Sequence, residues 1–250
     1  MSDQPVIQVQ DLVVEYGKAK KLHRAVDGIS FDVHEGECVG FIGANGAGKS
    51  TTIKTLMGFM FPASGSAQVF GARAGTTESR MRIGYLPEVA LYYPFMKAHE
   101  LLELYGGLGG LSKAELRKRI PGLLERVGLG GHSGDLLKSF SKGMQQRLGI
   151  AQSLITEPDL LVYDELNSGL DPLGRVDLRT VLLELKAQGR TIFFSSHELT
   201  EVEALCDRVL MIHKGKVVKN APLEQLLADR GGDSLENYFI DLIKETDSVA

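Results

Sequence analysis

GANGAGKST, residues 43–51, stands between a nearly solid apolar run, ECVGFI (37–42), and the helix-like segment TTIKTLMGF (51–59), and its reading decides the fold. The stretch fits GxxxxGK[ST] in the order that pattern requires, a strand before it and a helix start after it. Glycines at 43, 46 and 48 let backbone amides approach phosphate oxygens, Lys49 can reach the β- and γ-phosphates, and the Ser50 hydroxyl can hold Mg²⁺. The helix N-terminus adds a favourable dipole.

Two further runs share the apolar character of ECVGFI. DLLVYDE (159–165) and TIFFSSH (191–197) are β-rich and end in polar residues, as central strands covered on both faces do. Ligands of open α/β sheets bind outside the carboxyl ends of the strands, so these polar ends are expected to gather at one edge. Asp164 is then placed for the Mg²⁺ shell. Glu165, one position further, can take a proton from a water aligned on a γ-phosphate, as a general base does. A lone histidine is more often structural, but the strand-end position of His197 points to a γ-phosphate contact.

VIQVQDLVVEY (6–16), AVDGISFDV (25–33) and AQVFG (67–71) alternate instead, as half-exposed antiparallel strands do. HELLELYGGL (99–108), SKAELRKRIPGLLERVGL (112–129) and KGMQQRLGIAQSLI (142–155) read as a helical insertion punctuated by glycines. RVLMIHKGKVVKN (208–220) reads as a hairpin turning at Lys214 and Gly215. In SLENYFIDLI (234–243), Leu235, Tyr238, Phe239 and Leu242 form one apolar helical face, read as core packing. Within SFSKGMQQR (139–147), Ser141 stands at a helix start, either as its cap or where free amides face an anion.

The 250 residues, 43% hydrophobic and 24% charged, are of globular composition, and a net charge of −4 offers no global basic field for nucleic acid. Cys38 and Cys206 show no metal-like spacing, which favours reduced structural thiols. MSDQPVIQVQ lacks the basic and apolar regions of a signal peptide. No uncharged apolar run approaches the roughly 18 residues of a membrane-spanning helix, so any membrane role needs another chain.

In order along the chain, these motifs resemble those of the ATP-binding subunit of ABC transporters, over a stretch from Tyr16 to about Asn220. GANGAGKST is similar to the family's Walker A motif, GYLPE to its Q-loop, FSKGM to its signature, DLLVYDE to its Walker B, NSGLD to its D-loop and SSH to its switch histidine. The resemblance implies an α/β fold: a P-loop NTPase (RecA-like) core sheet with an antiparallel β subdomain and an inserted α-helical subdomain. It implies a β layer over about 1–35 and 64–72, an ATP-binding core over 36–63, 73–88 and 156–220, a helical subdomain over 89–155 and a C-terminal helical tail over 221–250.

It further implies that Gly43, Asn45, Gly46, Ala47, Gly48, Lys49, Ser50 and Thr51 bind ATP, with Tyr16 stacking on adenine. Family subunits pair head to tail, so Ser141, Lys142, Gly143 and Met144 would meet the γ-phosphate held by a second copy or a close paralogue. Asp171 would communicate across that dimer. Ser50, Asp164 and Glu88 would hold Mg²⁺, while Lys49, Glu165 and His197 carry hydrolysis. The family's commonest signature is LSGGQ. Here Lys142 replaces a glycine, which adds positive charge beside the nucleotide and also bulk where backbone would approach. Glu88 stands where glutamine is usual, and Leu166 and Asn167 where proline and threonine are common.

By resemblance the chain would be an ATPase driving a separate membrane permease, attached to the cytoplasmic side of the membrane through it. The SKGM and YLPE forms resemble those of drug and polysaccharide exporters. The aromatic cluster Tyr92, Tyr93, Phe95 and Met96 would receive a permease helix or else pack internally. Alternatives are a non-transport ATPase of the same type, which a single cassette without basic stretches opposes, and a regulatory ATP-binding module, which Glu165 and His197 oppose.

Overall fold

The computed structural model describes residues 4–17, 22–167, 169–228 and 234–249. Two long strands, β1 (Ile7–Tyr16) and β2 (His23–Val33), precede β3 (Cys38–Ile42) and helix α1 (Lys49–Leu56). Next come β4 (Ser64–Val69), the short β5 (Ala72–Arg73), α2 (Thr77–Arg80) and β6 (Ile83–Leu86). Helices α3 (Ala98–Leu108), α4 (Lys113–Arg126) and α5 (Lys142–Leu154) lead into β7 (Leu160–Tyr163), α6 (Pro172–Ala187), β8 (Thr191–Ser196) and α7 (Leu199–Leu205). The hairpin β9 (Arg208–His213) and β10 (Lys216–Pro222) is followed by α8 (Leu223–Ala228) and α9 (Leu235–Val249).

These strands form two sheets. The larger has six strands in the order β10-β9-β3-β8-β7-β6, parallel throughout except where β10 pairs antiparallel with β9. The smaller, β2-β1-β4-β5, is antiparallel. The expected sheet types are therefore both present. β6 adds a strand within the stretch around GYLPE that no periodicity signals, because four residues are too few to show one. β10 also runs past the expected core limit at 220, with Ala221 and Pro222 still paired to Val209 and Arg208.

Every residue of β3, β7 and β8 is buried, which is why their sequences are solid rather than alternating. Successive side chains of β3 serve opposite faces: Val39 and Phe41 join the core beneath the antiparallel sheet, while Cys38 and Ile42 join the core under the helices. Phe193 of β8 stacks on Phe31 of β2 and Phe41 of β3, with ring centroids 5.7 and 5.5 Å away. On the other face, burial and the hydrogen bond to Cys38 push the Cys206 thiol well above its ordinary pKa, so it stays protonated in the core. In α9, Leu235 and Tyr238 are buried and Phe239 and Leu242 pack beside them, as its apolar stripe predicts.

The helical insertion is capped where its sequence signals. Ser112 Oγ accepts the Glu115 amide at 3.3 Å, and the Ser112 amide donates back to Glu115 Oε2 at 2.8 Å, so α4 starts with a reciprocal box. Because Phe193 stacks on rings from both sheets, Phe193→Ala should lower unfolding stability by about 3–5 kcal/mol, read as a fall in the urea midpoint.

Candidate functional site

Strand β3 delivers the phosphate loop to the N-terminus of α1. Gly48 caps that helix with φ 116° and no side-chain hydrogen bond, so no side chain competes for the first-turn amides. An alanine at Gly43 would collide with the Ile212 carbonyl, and one at Gly48 would put its Cβ 2.6 Å from the Ala25 carbonyl oxygen. The loop therefore lies against β2 and β9 at a distance only glycine permits.

The loop opens onto a cavity of about 440 Å³ lined by Tyr16, Asn45, Gly46, Gly48, Lys49, Ser50, Thr51, Lys54, Glu88, Glu165 and His197. Residues from five separate stretches thus meet at one end of the sheet. Gly43 and Ala47 sit behind the wall: the Gly43 carbonyl accepts from Lys49 Nζ at 2.7 Å, and the Ala47 carbonyl accepts the Gly215 amide at 2.9 Å. Tyr16 is 44% exposed on the cavity rim, its ring 5.2 Å from that of His23.

Glu165 is the hub. Its Oε1 lies 3.3 Å from Lys49 Nζ and its Oε2 2.6 Å from His197 Nδ1, so one carboxylate is held between two nitrogen donors. The Lys49 and Glu165 side chains are 5% and 10% exposed, where a lone charge would be costly. Glu165 itself adopts φ 53°, a conformation uncommon outside glycine and often found at working sites. Asp164 beside it accepts from Ser50 Oγ at 3.0 Å and from Ser195 Oγ at 2.8 Å. Ser195 Oγ also accepts the Glu165 amide at 2.8 Å, which holds both acids in register with β8.

Ser195 escaped the sequence reading, although its place in SSH was the available signal. Tyr85 and Lys54 escaped it as well. Burial first, and then the charge of Asp164, push the Tyr85 phenol up to about 12, so it remains a neutral neighbour of the acids. Gln146 also went unremarked: its Nε2 donates to the Leu166 carbonyl at 2.9 Å, joining α5 to the chain just past Glu165.

The FSKGM stretch lies elsewhere. Ser141 caps α5, its Oγ accepting the Met144 amide at 3.2 Å, and Met144 is half-buried against the core. Ser141, Lys142, Gly143, Gly169 and Asp171 line a separate cavity of about 340 Å³ that shares no lining residue with the first. Lys142 lies over Gly169, where any side chain would strike its methylenes. Asp171 caps α6 by accepting the Gly174 amide at 2.8 Å. Ser168, within NSGLD, falls outside the described residues.

The aromatic cluster divides. Leu91, Tyr93 and Phe95 are exposed, whereas Tyr92 and Met96 turn inward, the Tyr92 hydroxyl meeting Gln152 Oε1 at 3.2 Å. The sequence pattern treats all four named residues as one patch, but packing of Tyr92 and Met96 against the helical core leaves Tyr93 and Phe95 outside.

A family model described as ABC transporter matches residues 26–168. The chain is 38% identical over 241 residues to the Nod factor export ATP-binding protein I of Ralstonia nicotianae, covering 95% of this chain and 74% of that protein. It is 40% identical over 224 residues to the bacitracin transport ATP-binding protein BcrA of Bacillus licheniformis, covering 88% and 71%. A solved structure of an ATP-binding subunit of an ABC transporter matches with a TM-score of 0.86 at 34% identity, over 95% of this chain and 99% of that one.

Ser195→Ala tests the hydroxyl bridge. It strands the buried Glu165 amide and removes a donor from Asp164, so a loss of about 1–3 kcal/mol is expected in urea titrations, and an unchanged midpoint would discount the bridge.

Proposed function

The chain belongs to the ABC transporter family as one of its ATP-binding, ATP-hydrolysing subunits, and from that membership we propose that it powers export through a separate permease by closing with a second subunit around ATP. The observation that carries the hydrolytic part is Glu165, held between Lys49 and His197 on the wall of the phosphate-loop cavity. A terminal phosphate brings more negative charge to Lys49 than one carboxylate does, so its arrival draws the ammonium off Glu165. The freed carboxylate polarises a water, and His197 orients the phosphate. The loop amides and Lys49 then stabilise charge spreading over the phosphoryl oxygens.

The donors at the cavity wall suit Mg²⁺. Ser50 and Glu88 line the cavity, and buried Asp164 Oδ1 stands 3.0 Å behind Ser50 Oγ, all hard oxygen ligands of the kind Mg²⁺ takes alongside phosphates. When bound, the ion neutralises phosphate charge. Glu88, in place of the usual glutamine, adds an anion to that set.

The two separate cavities support pairing. Ser141, Lys142, Gly143 and Met144 cannot serve the phosphate loop of their own chain if the two sites share no wall, so on this reading they meet the nucleotide of a second copy or a close paralogue. The α5 N-terminus then contributes amides and Lys142 a positive charge, while Asp171 lies at the seam. Family subunits of this kind attach peripherally to a membrane through transmembrane components. Among the described residues no helix is long and apolar enough to cross one. We place this chain at the cytoplasmic face, with exposed Leu91, Tyr93 and Phe95 against the permease. Export rests on the SKGM and YLPE forms and on the export and transport roles in the relatives' names.

Glu165→Gln should bind ATP as the wild type does while phosphate release falls about 10²–10⁴-fold; turnover above a tenth of wild type would remove the general-base role. For the permease surface, a cysteine placed by Phe95→Cys should cross-link to the co-purified membrane chain, whereas one placed by Tyr92→Cys should not, because that side chain faces inward.

A further inference from the structure

The apolar face of α9 accounts for its packing but not for its far end. There Asp247 reaches across to the β9–β10 turn. Its Oδ1 lies 2.8 Å from His213 Nε2 and 2.7 Å from Lys214 Nζ. Hydrogen bonds from Lys214 first and His213 second hold this carboxyl below its ordinary pKa, so it is charged at neutral pH. The turn it grips is tightly constrained: Lys214 and Gly215 both have positive φ, at 46° and 80°, as the two central residues of a hairpin turn of this hand require. A lysine tolerates that region poorly, so a tether on its side chain helps to hold it there.

What the turn touches gives the tether meaning. The Gly215 amide donates to the Ala47 carbonyl at 2.9 Å, and the Gly215 carbonyl accepts the Asp27 amide at 2.8 Å. Ala47 lies between Gly46 and Gly48, both on the wall of the nucleotide cavity. The phosphate loop also rests directly on this hairpin, since a Cβ on Gly43 would strike the Ile212 carbonyl and one on Gly48 would come 3.1 Å from Ile212 Cδ1. A close-packed contact of this kind transmits a displacement instead of absorbing it. At the near end, the Leu235 amide donates to the Glu203 carboxylate, and Leu235 and Tyr238 are buried, so α9 is a rigid arm from the α7 side of the molecule to the turn.

We infer that Asp247 is a positioning residue for the phosphate loop: the docked C-terminal helix fixes the 213–215 turn, the turn fixes Ala47, and nucleotide affinity therefore depends on the helix being seated. Any event that lifts α9 away weakens ATP binding without touching a residue of the cavity. The inference rests on the cavity being the ATP site.

The test uses the full chain and a non-hydrolysable ATP analogue with Mg²⁺. Asp247→Lys sets like charges against His213 and Lys214 and should raise the analogue's Kd about 2- to 5-fold, the scale of an exposed ion pair. Hydrogen exchange at the Gly215 amide should speed up in parallel. The double variant Asp247→Lys with Lys214→Glu reverses the pair and should restore both readings, which a general loss of stability would not allow. Faster Gly215 exchange with an unchanged Kd would overturn the inference, as would a weakened Kd that the charge reversal leaves unrepaired. A wild-type chain that fails to bind the analogue would overturn the ATP-site reading and this inference with it.

Discussion

The rest of the site is arranged around the buried ion pair between Lys49 and Glu165. Two opposite charges, 5% and 10% exposed and 3.3 Å apart, are tolerable together and costly alone. Each must therefore be delivered by an element that cannot drift. Lys49 comes from the first turn of a helix fed by β3, and Glu165 comes from the end of β7, two strands away across β8. The intervening strand supplies the brace, because Ser195 at its end is hydrogen-bonded to both acids' positions at once. Parallel strands with solidly apolar sequences are what make such a brace rigid: nothing in β3, β7 or β8 is exposed that could let one slide past another.

On the proposed mechanism, the same pairing would favour polyphosphate over weakly charged ligands. The ammonium already has two carbonyl contacts and a carboxylate, so a ligand draws it away only by bringing more charge than they do. A weakly charged molecule leaves Lys49 and Glu165 engaged with each other. On the proposed mechanism, the base is released by the substrate it acts on, and release at any other time is opposed by the cost of an uncompensated buried charge.

Where the chemistry is local in sequence, the chain is legible. GANGAGKST announces a phosphate loop because glycine spacing, lysine and hydroxyl must all fall within one turn, and DLLVYDE announces its strand because complete burial demands an unbroken apolar run. Ser141 reads as a cap for the same reason, since the amide it accepts is three residues on. The illegible parts depend on distance through space. That Ser195 would bridge Asp164 and the Glu165 amide follows from the β7–β8 register, which no spacing within TIFFSSH encodes. Tyr92 and Tyr93 are chemically alike, and only the packing of Tyr92 against Gln152 of α5 separates the buried ring from the exposed one.

The glycines of the phosphate loop are usually understood from the ligand's side, as room for phosphate. Here they face two demands. Gly46, at φ 78° with open space around it, satisfies the ligand side, whereas Gly43 and Gly48 are forced by backbone pressing from behind, at Ile212 and Ala25. A loop free on its rear face could adopt many shapes in the absence of phosphate, and ordering it would cost binding energy. A loop wedged against two sheets keeps one shape throughout, so its amides are already aimed when the ligand arrives. On the proposed function this preorganisation has a structural consequence: the second rank of residues behind the loop, in β2, β9 and the turn at Gly215, would serve nucleotide recognition alongside the residues that line the cavity.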